Sequence, residues 1–208
     1  MVKLYTAPGA CSLACDIVFE EAGVPFERVL VSFDKGEMET PAYQVINPMG
    51  AVPALDLGNG TYLTEGPAIM QYIAAQKPEA GLMPTSGFEH FKALEWMNFI
   101  TSELHKTSFG NLFAVERLVS GEAAQTEFET NSKKVLFERL DHVNKQLDGK
   151  TFCVGNHFTI CDAYLFTVLS WSKHLEIDLT PWKNITSFQA RTFERPGVQR
   201  AMKAEGLI

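Results

Sequence analysis

The sequence predicts a two-part fold: a small α/β domain followed by an all-helical domain. Two observations carry this. Strand signals are confined to residues 1–75, where they alternate with helical ones and include the hairpin dipeptide Asn59-Gly60. Beyond residue 88 they nearly vanish, and apolar residues recur at helical spacing. Pro78, Gly81, Pro84 and Gly87 punctuate a linker over 76–87. The expected domains are therefore 1–78 and 88–208.

Each element has its own reason. "VKLYT" opens as a short strand. "SLACDIVFEEAG" reads as a helix, with Leu13, Ala14, Ile17 and Val18 on one face and Gly23 as its stop. "FERVLVSF" is a second strand, and Thr40–Val45 a short irregular or helical piece. Ala54–Leu57 and Tyr62–Leu63 form the hairpin. "EGPAIMQYIAAQ" is a helix with Pro67 in its first turn. "HFKALEWMNFITSELHK" has helical periodicity throughout. "VLFERLDHVNKQL" carries the stripe Leu136, Leu140, Val143 and Leu147. "FTICDAYLFTVLSW" opens on Thr159 with Asp162 three residues on, a capping-box variant. "SFQARTFERPGVQRAMKAEG" gives two short helices broken before Pro196.

Composition narrows the function. The net charge is −7, from 25 acidic and 18 basic residues, which argues against a sequence-independent nucleic-acid binder. No stretch approaches the ~18 apolar residues of a membrane span. Four cysteines, at 11, 15, 153 and 161, are too few for a disulfide scaffold and lack zinc-type spacing. No metal is expected. These features predict a cytoplasmic protein with reduced thiols. Nucleotide-loop, hydrolase-elbow and zinc-protease patterns are all missing from the sequence.

Four candidates remain. Cys11, in "PGACSLA", precedes a helix that starts near Ser12. Free helix N–H groups there would favour the thiolate and lower its pKa; the other reading is a small buried hydrophobe. Cys15, one turn on, faces the core, and a Cys11–Cys15 pair lacks the usual two-residue spacing. Cys153 and Cys161 sit beside apolar residues and read as structural. Pro53, in "GAVPAL", is either an ordinary trans loop proline or a cis one, in which case the backbone of Val52 could pair with an extended peptide. Glu65 and the helix beginning near Gly66 could hold the ammonium and carboxylate of an amino acid; equally, Glu65 could only complement the helix dipole. His105, in "SELHK", is a solvated histidine unless it meets Cys11 in space.

Taken together, "PGACSLA", "NPMGAVPAL", "LTEGPAIMQYIA", "EWMNFITSELHK", "FTICDAYLF" and "KAEGLI" resemble, in order and over essentially the whole chain, the cytosolic glutathione transferases, and most of all their bacterial beta class. The resemblance implies a thioredoxin-like N-terminal domain, an all-helical C-terminal domain and a homodimer. It implies a detoxification enzyme that binds glutathione and a small apolar electrophile, with no membrane or nucleic-acid partner. By position, Cys11 matches the cysteine that contacts the glutathione sulfur and can hold it as a mixed disulfide. Val52, before a matched cis Pro53, would pair with the cysteinyl backbone. Glu65 and Gly66 would take the γ-glutamyl end, and Lys35 a carboxylate. Asn98, Ser102, Glu103, His105 and Lys106 match the helical stretch lining the site, part of it serving the partner subunit's ligand. Cys11 and His105 are the implied catalytic pair. Many members carry serine where Gly66 stands, which leaves only a backbone N–H here. Other classes use tyrosine or serine, so Tyr5 and Ser12 are competitors; Tyr5 is expected to point into the sheet and Ser12 to cap the helix. Glutathione-dependent reductases, isomerases and dehalogenases, and non-catalytic glutathione-binding proteins, are the alternatives on the same scaffold. Gly110–Gln125 carries no usable motif.

Overall fold

A computed structural model describes all 208 residues. The N-terminal part runs β1 (Val2–Thr6), α1 (Leu13–Ala22), β2 (Phe26–Leu30), α2 (Pro41–Ile46), β3 (Ala54–Gly58), β4 (Thr61–Thr64) and α3 (Gly66–Gln76). The four strands form one sheet in the order β2-β1-β3-β4. β1 and β2 are parallel, and β3 and β4 run antiparallel to their neighbours, with Leu4 opposite Leu55. The crossover between β1 and β2 is α1, as a parallel pair requires. Gly23 ends α1 at φ 64°, the left-handed stop its position predicts. β2 ends at Leu30, three residues before the expected limit, because Ser32–Gly36 turns back on itself through Gly36 N–H to the Phe33 carbonyl.

The second part is helical: α4 (Gly87–Phe99), a π-helix (Ile100–Phe109), α5 (Gly110–Phe113), α6 (Val115–Leu118), α7 (Glu122–Gln146), α8 (Ile160–Ser170), α9 (Lys183–Phe193) and α10 (Pro196–Ala204). The expected stripe on α7 is buried at Leu136, Leu140, Val143 and Leu147. α8 is buried along nearly its whole length and capped as its sequence predicts. Asp162 accepts from the Thr159 N–H at 2.8 Å and the Thr159 hydroxyl at 2.9 Å. It also takes the Cys153 N–H at 2.7 Å, so one buried carboxylate pins the preceding loop. No helix is long and apolar enough to cross a membrane.

The two parts share one hydrophobic core. α1 packs against α3, α8 and α10, and its buried Leu13, Ile17, Val18 and Phe19 join a cluster reaching Leu165 and Ala201. Arg195 pairs with Glu21, and Arg200 with Glu20, tying α10 to α1 at the surface. The first helix is thereby fixed against the C-terminal helices, and with it the loop that carries Cys11.

Candidate active site

The periodicity over 88–106 predicts an ordinary α-helix. From Ile100 onward it is a π-helix instead, with i→i+5 hydrogen bonds such as Gly110 N–H to the His105 carbonyl. Thr101, His105 and Lys106 of this helix line one pocket together with Cys11, Val52, Pro53, Glu65, Gly66 and Tyr164. A Cβ at Gly110 would lie 2.8 Å from the His105 oxygen, so glycine is required there.

Cys11 sits in the turn leading into α1. The Leu13 and Ala14 N–H groups bond back to Ala10 and Cys11, which leaves the Cys11 and Ser12 amides without backbone partners. Those amides and the Lys106 charge do favour the thiolate, as the sequence suggests. Burial outweighs them and pushes the Cys11 thiol up to about 11. Of the two readings the sequence leaves open, the free protein's half-buried thiol fits the protonated one: local donors were visible in the sequence, the covering walls were not. The neutral thiol donates to the Val52 carbonyl at 3.3 Å. Cys15 is fully buried, as expected, with its sulfur 3.7 Å from the Gly66 carbonyl, and all four cysteines are free.

Ser12 does not cap the helix through its side chain. Its buried hydroxyl donates to the Thr6 oxygen at 2.8 Å and accepts from the Ala7 N–H at 3.1 Å. It lies at 0% exposure, which removes it as a rival to Cys11. Tyr5 packs edge-on against Tyr43, with centroids 5.8 Å apart, and does not line the pocket. Two groups from the helical half hold the Cys11 loop. Glu205 accepts from the Thr6 hydroxyl at 2.6 Å and the Gly9 N–H at 2.9 Å. The Trp171 indole donates to the Gly9 carbonyl at 2.8 Å. Burial raises the Glu205 carboxyl to about 7.

The Val52–Pro53 bond is cis. The loop before it is braced by Asn47, whose amide donates to the Ala51 carbonyl at 2.6 Å and accepts from Met49 N–H at 3.0 Å. Tyr43 donates to the same Ala51 oxygen at 2.9 Å. The Val52 N–H has no partner within the chain, and its carbonyl takes only the Cys11 thiol. An extended peptide would find one donor and one acceptor there. Glu65 stands before α3 at φ 68°, a conformation that costs a non-glycine residue about 1–3 kcal/mol. It places an exposed carboxylate beside the free N–H of Gly66, the first residue of the helix.

His105 is not the solvated histidine its setting first suggests. Its Nδ1 lies 2.7 Å from the Tyr164 hydroxyl, and its ring packs 4.9 Å from that of Trp171. Burial, reinforced by the Lys106 charge, lowers it to about 4, so it is neutral at working pH. Tyr164, Asn47 and Thr101 are site residues the sequence reading missed; each reaches the pocket through long-range packing, and only the opening of "DAYLF" hinted at α8.

Other expected residues lie elsewhere. Lys35 is exposed and lines a neighbouring groove with Ser32, Asp34 and Glu37. Asn98 and Ser102 are exposed and bond back to Leu94 and Asn98. Glu103 pairs with Arg139 of α7 at 2.8 Å. None of these four lines the Cys11 pocket of its own chain.

A strand–helix–strand–helix–hairpin–helix unit with a cysteine before its first helix and a cis-proline beside it defines a thioredoxin-like domain. The family models agree: "Glutathione S-transferase, N-terminal domain" matches residues 9–76 and "Glutathione S-transferase, C-terminal domain" matches 112–196. The chain belongs to the glutathione S-transferase family, with the thioredoxin-like and all-helical halves its sequence implies. It is 41% identical to glutathione S-transferase GstA of Escherichia coli O157:H7, over 99% of this chain and 100% of that one. It is also similar to a sphingomonad glutathione S-transferase solved with glutathione, at 35% identity and TM-score 0.87, covering 99% of this chain and 100% of the other. A beta-class enzyme from Sphingomonas chungbukensis matches at 36% identity and TM-score 0.87, again over 99% and 100%.

Proposed function

We infer that the protein is a glutathione transferase whose Cys11 pocket holds glutathione as a thiolate and offers it to an electrophile. The observation that carries this is the convergence of two kinds of group on one pocket: peptide-binding groups at Val52, Glu65 and Gly66, and thiolate-stabilising groups at Cys11, His105 and Lys106. The free Val52 N–H, and the Val52 carbonyl once the Cys11 thiol turns away from it, pair with the cysteinyl backbone. Glu65 takes the ammonium of the γ-glutamyl end, and the Gly66 N–H its carboxylate. In this reading residues 1–78 bind glutathione and residues 88–208 wall the second substrate, a small electrophile with an apolar body. Glutathione enters as a substrate, and no metal takes part.

Burial gives Cys11 a specific task. A thiol that stays protonated is a donor, and it can turn from the Val52 carbonyl to the glutathione sulfur. In this reading the Tyr164 hydroxyl, 2.7 Å away, donates to His105 Nδ1, so that the Nε2 nitrogen keeps its hydrogen and is a second donor. Lys106 adds a positive charge. One pKa unit requires about 1.4 kcal/mol, which two directed hydrogen bonds supply. The nucleophile is then glutathione's own sulfur, and the protein binds, orients and ionises it. Mixed-disulfide formation at Cys11 is the secondary activity: the Cys11 sulfur attacks glutathione disulfide and releases one glutathione thiolate.

The protein acts as a cytoplasmic, detoxifying homodimer in this reading. Asn98, Ser102 and Glu103 face away from their own pocket and serve the partner subunit's ligand, and Lys35 reaches a carboxylate from its turn. Comparing Cys11→Ala with wild type tests the division of labour. Reduction of a glutathione mixed disulfide is expected to collapse, while conjugation of chlorodinitrobenzene falls only about fivefold, the worth of one hydrogen bond. Equal losses, or none, would sink it. A wild type that conjugates no electrophile would favour the non-catalytic alternative.

A further inference from the structure

Beyond Cys11 the pocket opens into a cleft of about 510 Å³. One side is the loop Pro8–Cys11 with Phe33; the other is the helical half. Trp171 lines it. The indole is fixed by its bond to Gly9, and His105, Phe109 and Phe113 stand edge-on around it with centroids 4.9, 5.9 and 5.8 Å away. Such a slot suits a flat aromatic body.

The rim is not apolar. Arg117 and His174 line the same cleft, and no Asp or Glu does. The chain has six arginines. Arg28, Arg139, Arg195 and Arg200 pair with carboxylates, and Arg191 donates to two carbonyls. Arg117 alone has neither an ion pair nor a hydrogen bond, in a protein with seven more acidic than basic residues. Asp34 and Glu37 line the neighbouring groove beyond Phe33, and Glu37 is already engaged by the Ser32 N–H at 2.8 Å, while Glu205 is engaged by Thr6 and the Gly9 N–H.

We propose that the second substrate is a planar aromatic electrophile bearing an anionic group, and that Arg117 is the residue that selects it. This rests on the transferase reading and narrows its substrate class. Bound glutathione is anionic and repels a second anion, so a carboxylated electrophile needs a cation at the far end of the slot. Arginine is suited to it, since its planar fork matches a carboxylate.

The test uses chlorodinitrobenzoate and its methyl ester, which share one reacting carbon. In both, the glutathione sulfur bonds to the chlorine-bearing carbon, the C–Cl bond breaks, chloride leaves with the electron pair, and the thiol proton goes to solvent. Each kcat/KM is divided by the uncatalysed rate, and the acid-to-ester ratio is the readout. Arg117→Gln is expected to lower that ratio about fivefold, the scale of a solvent-accessible ion pair. Arg117→Lys recovers part of it, and raising the salt lowers it in wild type. A ratio that Arg117→Gln leaves unchanged overturns the proposal. So does a rise in KM for glutathione that is equal with both electrophiles, which would assign Arg117 to the tripeptide. If wild type conjugates neither compound, the transferase reading falls and this one with it; if it conjugates the ester but not the acid, only this one falls.

Discussion

In the free protein, Cys11 will react slowly at neutral pH, and the reason is its walls. With its thiol pushed up to about 11, roughly one molecule in 10,000 carries the thiolate at pH 7. An exposed cysteine near 8.5 is ionised in roughly one molecule in 30. That is about a 300-fold deficit in reactive form. A more basic thiolate is a better nucleophile, and a Brønsted slope of about 0.4–0.5 over ~2.5 units returns roughly tenfold. The net expectation is alkylation about 30-fold slower than a free thiol. The assay is iodoacetamide labelling across a pH series, read at the Cys11 peptide with Cys11→Ala as blank. Poor access would slow the reaction at every pH alike, so the shape of the profile is the readout. The logarithm of the rate rises with unit slope from pH 7 to 9.5, without a plateau. A plateau reached by pH 7.5 would refute the reasoning, because it would mean that Lys106 and the Cys11 and Ser12 amides outweigh burial.

Three other outcomes follow from the same geometry. Glu205 moves from an unfolded value of 4.5 to about 7, so the fold holds its proton more tightly. That stability is fully present below pH 4.5 and is lost as pH rises through 7, a fall of about 2 kcal/mol between pH 5.5 and 8.5. Glu205→Gln removes this slope in urea midpoints; identical slopes in both proteins would contradict it. Asp162→Ala strands the buried N–H groups of Cys153 and Thr159 and is expected to cost about 3–5 kcal/mol, measured by urea unfolding. Under 1 kcal/mol would mean that the loop has other support. His105 stays neutral down to about 4, so the pH profile of conjugation has no histidine limb near 6.5. His105→Ala lowers conjugation at pH 6.5 about tenfold and shifts the profile upward by roughly one unit; an unshifted profile removes His105 from thiol activation.

Much of this molecule is legible in its sequence, for local reasons. Asn59-Gly60 fixes the hairpin, Gly23 ends α1, and Thr159 with Asp162 starts α8, because each acts within a few residues. The candidate site is half legible. Cys11, Pro53, Glu65 and Gly66 announce themselves by their places beside turns and helix starts. Their environment does not. Tyr164 meets His105 across 59 residues, and Glu205 meets Thr6 across 199. The π-helix is hidden too, since the apolar spacing around Ile100 and Leu104 also suits an α-helix. The same blindness made Cys11 look like a ready thiolate: donors along the chain were visible, while the covering helices were not. Gly110–Gln125, silent in the sequence, supplies Phe113 and Arg117 to the cleft.

The most direct test is to titrate the sulfur of bound glutathione itself. Thiolate absorbance would be followed against pH in glutathione-saturated Cys11→Ala, and in wild type corrected for its own four thiols. The bound thiol of the wild-type complex is expected to ionise at least one unit below free glutathione, with part of the shift lost in Cys11→Ala. A bound thiol that ionises at or above the free value would contradict it, since the pocket would then bind glutathione without activating it.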